Sequence, residues 1–111
     1  MIRIVNLRCY VPKSGEVLVK VDRSSPLGNP FKMYSESDRD KVCRQYEEYM
    51  QSKVKDFLEH KAISKNDISY IIELNRIIQL AKQGKDIALG CWCYPKRCHS
   101  ESIKALVEQY I

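Results

Sequence analysis

Three cysteines and one histidine lie close together near the C-terminus, and their side chains are the ones best suited to chemistry. Residues 90–100, the cysteine segment, read GCWCYPKRCHS and contain Cys91, Cys93, Cys98 and His99. Three thiolates and one imidazole form a ligand set found in tetrahedral structural zinc sites. Their spacing, C-x-C-x4-C-H, differs from the standard zinc-finger spacings. One hypothesis is therefore a metal site formed by these four residues, with zinc as the cofactor.

A second hypothesis for the cysteine segment is a reactive thiolate. A cysteine near a helix N-terminus, and close in sequence to Lys96, Arg97 and His99, is expected to have a lowered pKa. Cys91 or Cys93 would then be the nucleophile and His99 its base or acid, which makes these three the candidate catalytic residues. Cys91 and Arg97 also have the C-x5-R spacing of cysteine-dependent phosphatases. The structural alternative is that the cysteines are small buried hydrophobic residues and that the tryptophan between them packs in a core.

A polar segment earlier in the chain is the second candidate for ligand binding. Residues 23–31, the polar loop, read RSSPLGNPF and predict an irregular loop because they contain two prolines and a glycine. Glycine lets a backbone approach a ligand closely, and an arginine can bind phosphate through two parallel hydrogen bonds. The alternative is a rigid turn between a strand and a helix. The candidate ligand-binding residues are Arg23, Ser24, Ser25, Gly28 and Asn29, with Arg97 and Ser100 from the cysteine segment.

Alternating apolar residues predict two strands near the N-terminus. Ile2 to Leu7 and Val17 to Val21 are rich in β-branched residues and alternate between two faces. Pro12, Ser14 and Gly15 indicate a turn between these strands.

The apolar period changes to that of a helix after the polar loop. An apolar stripe predicts a first helix over residues 36 to about 60, and Ser35 and Asp38 resemble a capping box at its start. A short apolar run later in the chain, Ile87 to Cys91, predicts a buried third strand. The stripe of the first helix consists of Val42, Tyr46, Tyr49, Met50, Val54, Phe57 and Leu58.

Two further helices are predicted on either side of the third strand. Asn66 or Asp67 would cap the second helix, and Gly84 is its natural stop. Ser100 would cap the last helix. Their apolar faces comprise Ile68, Ile71, Ile72, Leu74, Ile77, Ile78 and Ala81 in one, and Ile103, Leu106, Val107, Tyr110 and Ile111 in the other.

These elements predict a single α/β domain over residues 1–111. Their order is β-β-loop-α-α-β-α, and helices must cover the sheet because every element has to bury its apolar face. A strand that is followed by helices and another strand implies a crossover and at least one parallel pair. We therefore expect a small single-layer sheet, mixed or parallel, which is covered by helices in a Rossmann-like arrangement.

Composition and charge limit the class of protein and its partners. An apolar content of 44% is typical of a globular protein. The chain shows no apolar run near the ~20 residues of a membrane span and no signal-peptide pattern, so we expect a cytoplasmic protein without membrane association. In that compartment clustered cysteines bind metal or react more often than they form disulfides. The net charge of +5 suits an anionic small-molecule ligand and leaves a nucleic-acid partner open.

The polar loop and the cysteine segment together resemble a known pair of motifs. The first motif reads R-S-S-P-L-G-N-P-F, and the second, over residues 89–99, reads L-G-C-W-C-Y-P-K-R-C-H. Their combination resembles DUF4326, a family of domains of unknown function that is common in phages and bacteria. The resemblance implies that both motifs belong to one shared site, for a nucleotide, but it supplies no activity. Ser24 and Ser25 stand where members often carry a glycine.

The first hypothesis for function is a domain that binds or processes a nucleotide or another phosphate-bearing small ligand between the polar loop and the cysteine segment. One alternative is a zinc-stabilised protein-interaction module, such as a phage protein in the host cytoplasm that binds a host protein or a second copy of itself. Another is a thiolate-dependent enzyme that uses Cys91 or Cys93. Contact between the polar loop and the cysteine segment in the fold would favour one composite site.

Overall fold

The computed structural model describes residues 1–59 and 64–111, which form three strands and three helices. The predicted element order is confirmed, and so is the class, an α/β protein in which a parallel three-stranded sheet packs against three helices. No helix within the described residues has both the length and the apolar character needed to cross a membrane. The elements are β1 (Ile2–Asn6), β2 (Glu16–Lys20), α1 (Arg39–Leu58), α2 (Lys65–Lys82), β3 (Asp86–Cys91) and α3 (Ser100–Glu108), with a short 3-10 helix at Glu36–Asp38 before α1.

The central strand of the sheet is β3, which lies between β1 and β2 and is parallel to both. Ile4, Leu89 and Val19 are partners across the three strands. The predicted turn at residues 12–15 therefore does not join neighbouring strands. Because β1 and β2 run in the same direction on opposite sides of β3, the chain between them must return along the full length of the sheet.

The core lies on one face of the sheet. Successive side chains of a strand point to opposite faces, so Val19, Ile87 and Leu89 share the face that the helices cover. The helices contribute Tyr46 and Met50 from α1, Tyr70, Leu74 and Ile77 from α2, and Ile103, Leu106 and Val107 from α3.

The opposite face of the sheet is covered by the connection between β1 and β2. Gly90 leaves room for Leu7, because a Cβ at Gly90 would lie 2.4 Å from a methyl carbon of Leu7. Arg3 donates two hydrogen bonds of 2.7 and 2.8 Å to Glu16, and the Tyr10 hydroxyl donates to the same carboxylate at 3.0 Å. The Arg3 guanidinium lowers the pKa of Glu16 to about 2. A charged cluster thus holds the connection onto the sheet.

Parts of the predicted apolar faces lie outside the core. Phe57 and Leu58 are 49% and 60% exposed, so their prediction as core residues is wrong. The reason is length: a 20-residue helix spans about 30 Å, whereas five-residue strands span about 17 Å, so the end of α1 extends past the sheet. His60, which was predicted to end this helix, lies outside the described residues. Ile68, Ile72, Tyr110 and Ile111 are also exposed. Leu74 and Ile77 of the predicted α2 face are buried, together with Tyr70, which was not predicted to belong to that face.

The two ends of α2 have well-defined caps. Ser64, rather than Asn66 or Asp67, begins the helix, since its side chain accepts a hydrogen bond of 3.2 Å from the N–H of Asp67. Gly84 ends the helix as predicted, with a φ of +81°. The N–H of Gly84 donates to Ala81 O, and the next residue donates to Leu80 O, which is the bonding pattern of a Schellman motif.

The starts of α1 and α3 differ from the predictions. Ser35 forms no cap hydrogen bond, and Asp38 accepts from the N–H of Tyr34 rather than from that of Ser35, so the predicted capping box is absent. Ser100 is the first residue of α3 and is fully buried, so the prediction that it caps this helix is wrong. The N-cap residue is instead His99, whose side chain forms no cap hydrogen bond, and Glu101 in the first turn accepts the N–H of Cys98.

Candidate functional site

The carboxyl ends of β2 and β3 lie side by side, and each leads into one of the two candidate segments. Lys20 at the end of β2 pairs with Gly90 of β3. The N–H of Val21 then donates to the carbonyl of Gly90 at 2.9 Å. Ligands of open α/β sheets bind beyond the carboxyl ends of the strands. The strand order therefore brings the polar loop and the cysteine segment to the edge where ligands bind in this class of fold.

Two hydrogen bonds tie the cysteine segment to the residues directly before the polar loop. The indole Nε1–H of Trp92 donates to Oδ2 of Asp22 at 2.9 Å. His99 Nε2 lies 2.5 Å from the carbonyl oxygen of Val21, to which it donates. The cysteine segment is thus held against the end of β2, from which the polar loop starts.

A cavity of about 400 Å³ lies between the polar loop, the cysteine segment and the start of α1. Its volume is within the range of small-molecule sites. Ser25, Gly28 and Ser100 do not line it. The predicted residues that do are Arg23, Ser24 and Asn29 from the polar loop, and Cys91, Cys93, Arg97, Cys98 and His99 from the cysteine segment.

Two loop residues predicted to bind a ligand instead hold the polar loop in shape. The Ser25 hydroxyl accepts a hydrogen bond of 3.1 Å from the N–H of Leu27. A Cβ at Gly28 would lie 2.5 Å from the carbonyl oxygen of Asp22 and 2.7 Å from the Cα of Arg23. Gly28 is therefore required by a close approach of the loop to itself, because neither of those backbone atoms can move without opening the loop.

Ser24 and Asn29 line the cavity but use part of their hydrogen-bonding capacity inside the loop. The backbone N–H and the hydroxyl of Ser24 donate to Oδ1 of Asp22 at 3.2 and 2.5 Å. The Asn29 carbonyl accepts a hydrogen bond of 2.9 Å from Phe31. The donors of Ser24, followed by that of Trp92, lower the pKa of Asp22, so this carboxylate is charged at neutral pH.

Cys91 is the cysteine of the site whose pKa is lowered below that of an ordinary thiol. It is only 1% exposed, and its sulfur lies 3.2 Å from that of Cys98. The Cys98 thiol lowers the pKa of Cys91 to about 5, with further donation from the Ser100 hydroxyl and from the N–H groups of Cys93 and Tyr94. These donors outweigh burial, which alone would raise the pKa. Within the pair, Cys91 is therefore the thiol that loses its proton more readily.

Cys98 has the opposite ionisation and lies just before the last helix. Its neighbour Cys91 and its burial raise the pKa of Cys98, so it stays a thiol. The N–H of Cys98 donates to the carboxylate of Glu101 at 3.2 Å, while the N–H of Glu101 donates to the carbonyl of Cys98 at 3.2 Å. The pattern Cys98-x-x-Glu101 is the backward half of a capping box, with cysteine in place of serine or threonine.

His99 is a neutral base with one accessible nitrogen. Its ring is buried and lies 4.8 Å from that of Tyr46, centroid to centroid. Burial lowers the pKa of His99. Nε2 carries the hydrogen donated to Val21, so Nδ1 carries the free lone pair. Nδ1 has no hydrogen-bond partner. Every fully buried side-chain nitrogen within residues 1–59 and 64–111 has one, so Nδ1 is accessible from the cavity.

Arg39 is a site residue that the sequence analysis missed. Its guanidinium donates two hydrogen bonds of 2.9 Å to Glu36 and one of 2.9 Å to the carbonyl of Arg97. The signal for it is its position one turn before Val42, where it extends the buried stripe of α1 with a cation. Cys43 and Met33 also line the cavity and were not predicted to belong to the site.

Two arginines of the cavity remain available for an anion. Arg23 is exposed and forms no ion pair with any residue that the structure describes. Arg97 forms an ion pair of 3.0 Å with Asp40, and both partners are exposed. An exposed ion pair of this kind contributes little to stability, so Arg97 can exchange Asp40 for a ligand.

The metal hypothesis gains no support from the geometry. Within the described part of the chain, no group of three or more His, Cys, Asp or Glu side chains is arranged to hold a metal ion. The thiols of Cys91 and Cys98 are paired with each other, and His99 Nε2 is directed at Val21. The zinc set formed by Cys91, Cys93, Cys98 and His99 stays a prediction from sequence.

Comparison with known proteins identifies the family. Residues 8–109 match the family described as "Domain of unknown function (DUF4326)". The match covers nearly all of the chain, so the chain belongs to this family. Neither a curated protein nor a solved structure matches it.

Proposed function

We propose that this member of the DUF4326 family binds a phosphate-bearing small molecule of the nucleotide class in the cavity between the polar loop and the cysteine segment. One observation carries the proposal: Arg23 and Arg97 come from the two different segments and line the same cavity of about 400 Å³. Guanidinium groups bind phosphate through parallel hydrogen bonds, and neither arginine here is committed to a buried carboxylate.

The charge around the cavity supports an anion over a cation. Three cations, Arg23, Arg39 and Arg97, line it together with two acidic groups: Asp22, which already accepts hydrogen bonds from Ser24 and Trp92, and the Cys91 thiol, whose pKa is lowered. The net charge of the chain, +5, has the same sign. Clefts with one sign of charge raise the local concentration of oppositely charged ligands.

The test measures ligand-induced stabilisation across nucleotides, nucleotide sugars and cyclic nucleotides, followed by calorimetric titration of AMP and of adenosine. A ligand that binds only the folded state raises the unfolding temperature. We expect AMP to bind and adenosine, which lacks the phosphate, to bind at least tenfold more weakly. The absence of a shift with every member of the panel at millimolar concentration would contradict the proposal.

Arg23→Ala provides the variant, and Arg44→Ala provides its matched control. Both residues are exposed arginines, but Arg44 lies on α1 and does not line the cavity. A charge-assisted hydrogen bond contributes about 1.5–3 kcal/mol, so Arg23→Ala should weaken AMP binding by about tenfold or more. Arg44→Ala should bind like the unchanged protein. Equal weakening by both variants would indicate attraction by net charge alone.

A second candidate function is nucleophilic catalysis by a thiolate, and a specific observation favours it. The Cys98 thiol lowers the pKa of Cys91, and the unprotonated Nδ1 of His99, which lines the same cavity, is accessible. The donors that lower the pKa of Cys91 also occupy its sulfur, which reduces its readiness to attack a substrate. Cys93 is less buried and lines the cavity. We therefore place ligand binding first and a covalent step second.

A further inference from the structure

We infer that Trp92 is a fixed stacking surface for the base of the ligand, so that the site selects a mononucleotide over a phosphate without an aromatic ring. The inference rests on the proposed function and adds the part of the ligand that is recognised. Trp92 is 56% exposed and lines the cavity, although it follows directly after the buried Cys91. The strand therefore ends by presenting a large aromatic side chain to the cavity instead of burying it.

The orientation of the indole is set before any ligand arrives. Its Nε1–H donates to Asp22, and Asp22 in turn accepts two hydrogen bonds from Ser24. The backbone of Trp92 is held as well, because its carbonyl accepts a hydrogen bond of 3.3 Å from the side chain of Asn6. A side chain that is already ordered loses little conformational entropy on binding.

The free surface of Trp92 determines which chemistry it binds. With its polar edge satisfied by Asp22, the indole offers only its faces, which bind either another aromatic ring or a cation. No cation of the described residues lies over the Trp92 ring. Arg23 and Arg97 line the same cavity and disfavour a cationic ligand. An aromatic ring attached to an anion satisfies both features, and a nucleotide has this composition.

The size of the cavity limits the ligand further. A volume of about 400 Å³ is at the small end of the range for small-molecule sites, which suits one nucleotide and is too small for a dinucleotide. Phe31 lines the same cavity, with its ring held edge-on against Tyr49 at a centroid distance of 5.7 Å. Aromatic residues therefore come from both of the segments that form the site.

The chain is well suited to a direct test, because Trp92 is its only tryptophan. The probes are the four ribonucleoside 5′-monophosphates, ribose 5-phosphate and inorganic phosphate, each titrated by intrinsic fluorescence and by calorimetry. Stacking on an aromatic side chain contributes about 1–3 kcal/mol per base, so at least one nucleotide should bind about tenfold more tightly than ribose 5-phosphate. The same nucleotide should quench the fluorescence of Trp92.

Variants separate stacking from a purely structural role. Trp92→Leu should reduce the affinity for the nucleotide to that for ribose 5-phosphate, and leave the affinity for ribose 5-phosphate unchanged. Trp92→Phe keeps an aromatic face and should retain most of the difference. Tyr34→Leu, which removes an exposed aromatic ring outside the cavity, is the matched control and should change neither affinity.

The outcomes distinguish this inference from the proposed function. If ribose 5-phosphate binds as tightly as every nucleotide, or if Trp92→Leu weakens both ligands equally, the stacking role is overturned and phosphate binding stands. If neither the nucleotides nor ribose 5-phosphate bind, the proposed function fails together with the inference.

Discussion

The ionisation of Cys91 illustrates how a short backbone turn changes the chemistry of one residue. Burial alone raises the pKa of a thiol, as it does for Cys43. Cys91 is more deeply buried, yet the Cys98 thiol and the N–H groups of Cys93 and Tyr94 lower its pKa to about 5. The turn that follows β3 supplies these donors, so the geometry after the strand sets the charge.

This difference gives a prediction that can be measured by thiolate absorbance in the ultraviolet during a pH titration. We expect one thiolate to form with a midpoint near pH 5. That transition should disappear in Cys91→Ser and remain in Cys43→Ser, which removes a buried cysteine whose pKa is raised. A titration without any thiolate signal below pH 7 would show that Cys91 is an ordinary buried thiol.

The same ionisation makes stability depend on pH in a defined window. The pKa of Cys91 is about 5 in the folded state and about 9 in the unfolded state, so the unfolded state binds more protons between these values. Stability from this group is fully present above pH 9 and is lost as the pH falls towards 5. Cys98 acts in the opposite sense, because its pKa is raised in the folded state: its contribution to stability is present below about pH 9 and is lost as the pH rises above that value. Burial lowers the pKa of His99, so this residue also makes the folded protein less stable as the pH falls below 6.5.

At the scale of elements, the start of α3 depends on a cap that standard patterns do not recognise. Glu101 accepts the N–H of Cys98, so the first turn of α3 and the cysteine pair are held by the same residues. Serine is a preferred capping residue, so the sequence predicts a cap at Ser100. In the structure the Ser100 side chain is buried against Cys98. Sequence patterns for helix starts rarely include cysteine.

The prediction for this element compares two substitutions of Glu101. Glu101→Ala removes the acceptor for the N–H of Cys98 and should lower the free energy of unfolding by about 1 kcal/mol, as cap removal does elsewhere. Glu101→Gln keeps an acceptor oxygen and should lower it by less. Chemical denaturation of the two variants beside the unchanged protein measures both effects. Equal stability of all three proteins would show that this hydrogen bond does not hold the helix start.

At the scale of the whole molecule, Tyr46 connects the polar loop to the helical layer. Its hydroxyl lies 2.8 Å from the carbonyl of Leu27 in the loop and 2.8 Å from the hydroxyl of Tyr70 on α2. A carbonyl only accepts, so Tyr46 donates to Leu27, and Tyr70 donates to Tyr46. All three residues are buried. The loop is therefore positioned by contacts that join the loop, α1 and α2.

This arrangement predicts unequal costs for two similar substitutions. Tyr46→Phe leaves both the Leu27 carbonyl and the Tyr70 hydroxyl without a partner and should lower the free energy of unfolding by about 2–4 kcal/mol. Tyr70→Phe leaves the bond from Tyr46 to Leu27 in place and should cost about 1 kcal/mol. Denaturation curves for the two variants measure this difference. If Tyr70→Phe costs as much as Tyr46→Phe, the assigned direction of the two hydrogen bonds is wrong.

The sequence by itself determined the class of the fold, the order of its elements and the two segments that form the site. Apolar periodicity is a local property, so strands such as Ile87–Cys91 and the stop at Gly84 can be found without knowing their neighbours. The joint pattern of the polar loop and the cysteine segment also indicated the family. What residues 23–31 and 90–100 bind remains a prediction.

Only the tertiary structure decided which strands are neighbours and what each polar residue does. The central place of β3 puts the polar loop beside the cysteine segment, and strand order depends on contacts between residues far apart in the chain. The same contacts show that Gly28 and Ser25 shape the loop and that Arg39 reaches the site. A residue type states which hydrogen bonds are available, but only its neighbours in space decide whether the protein or a ligand uses them.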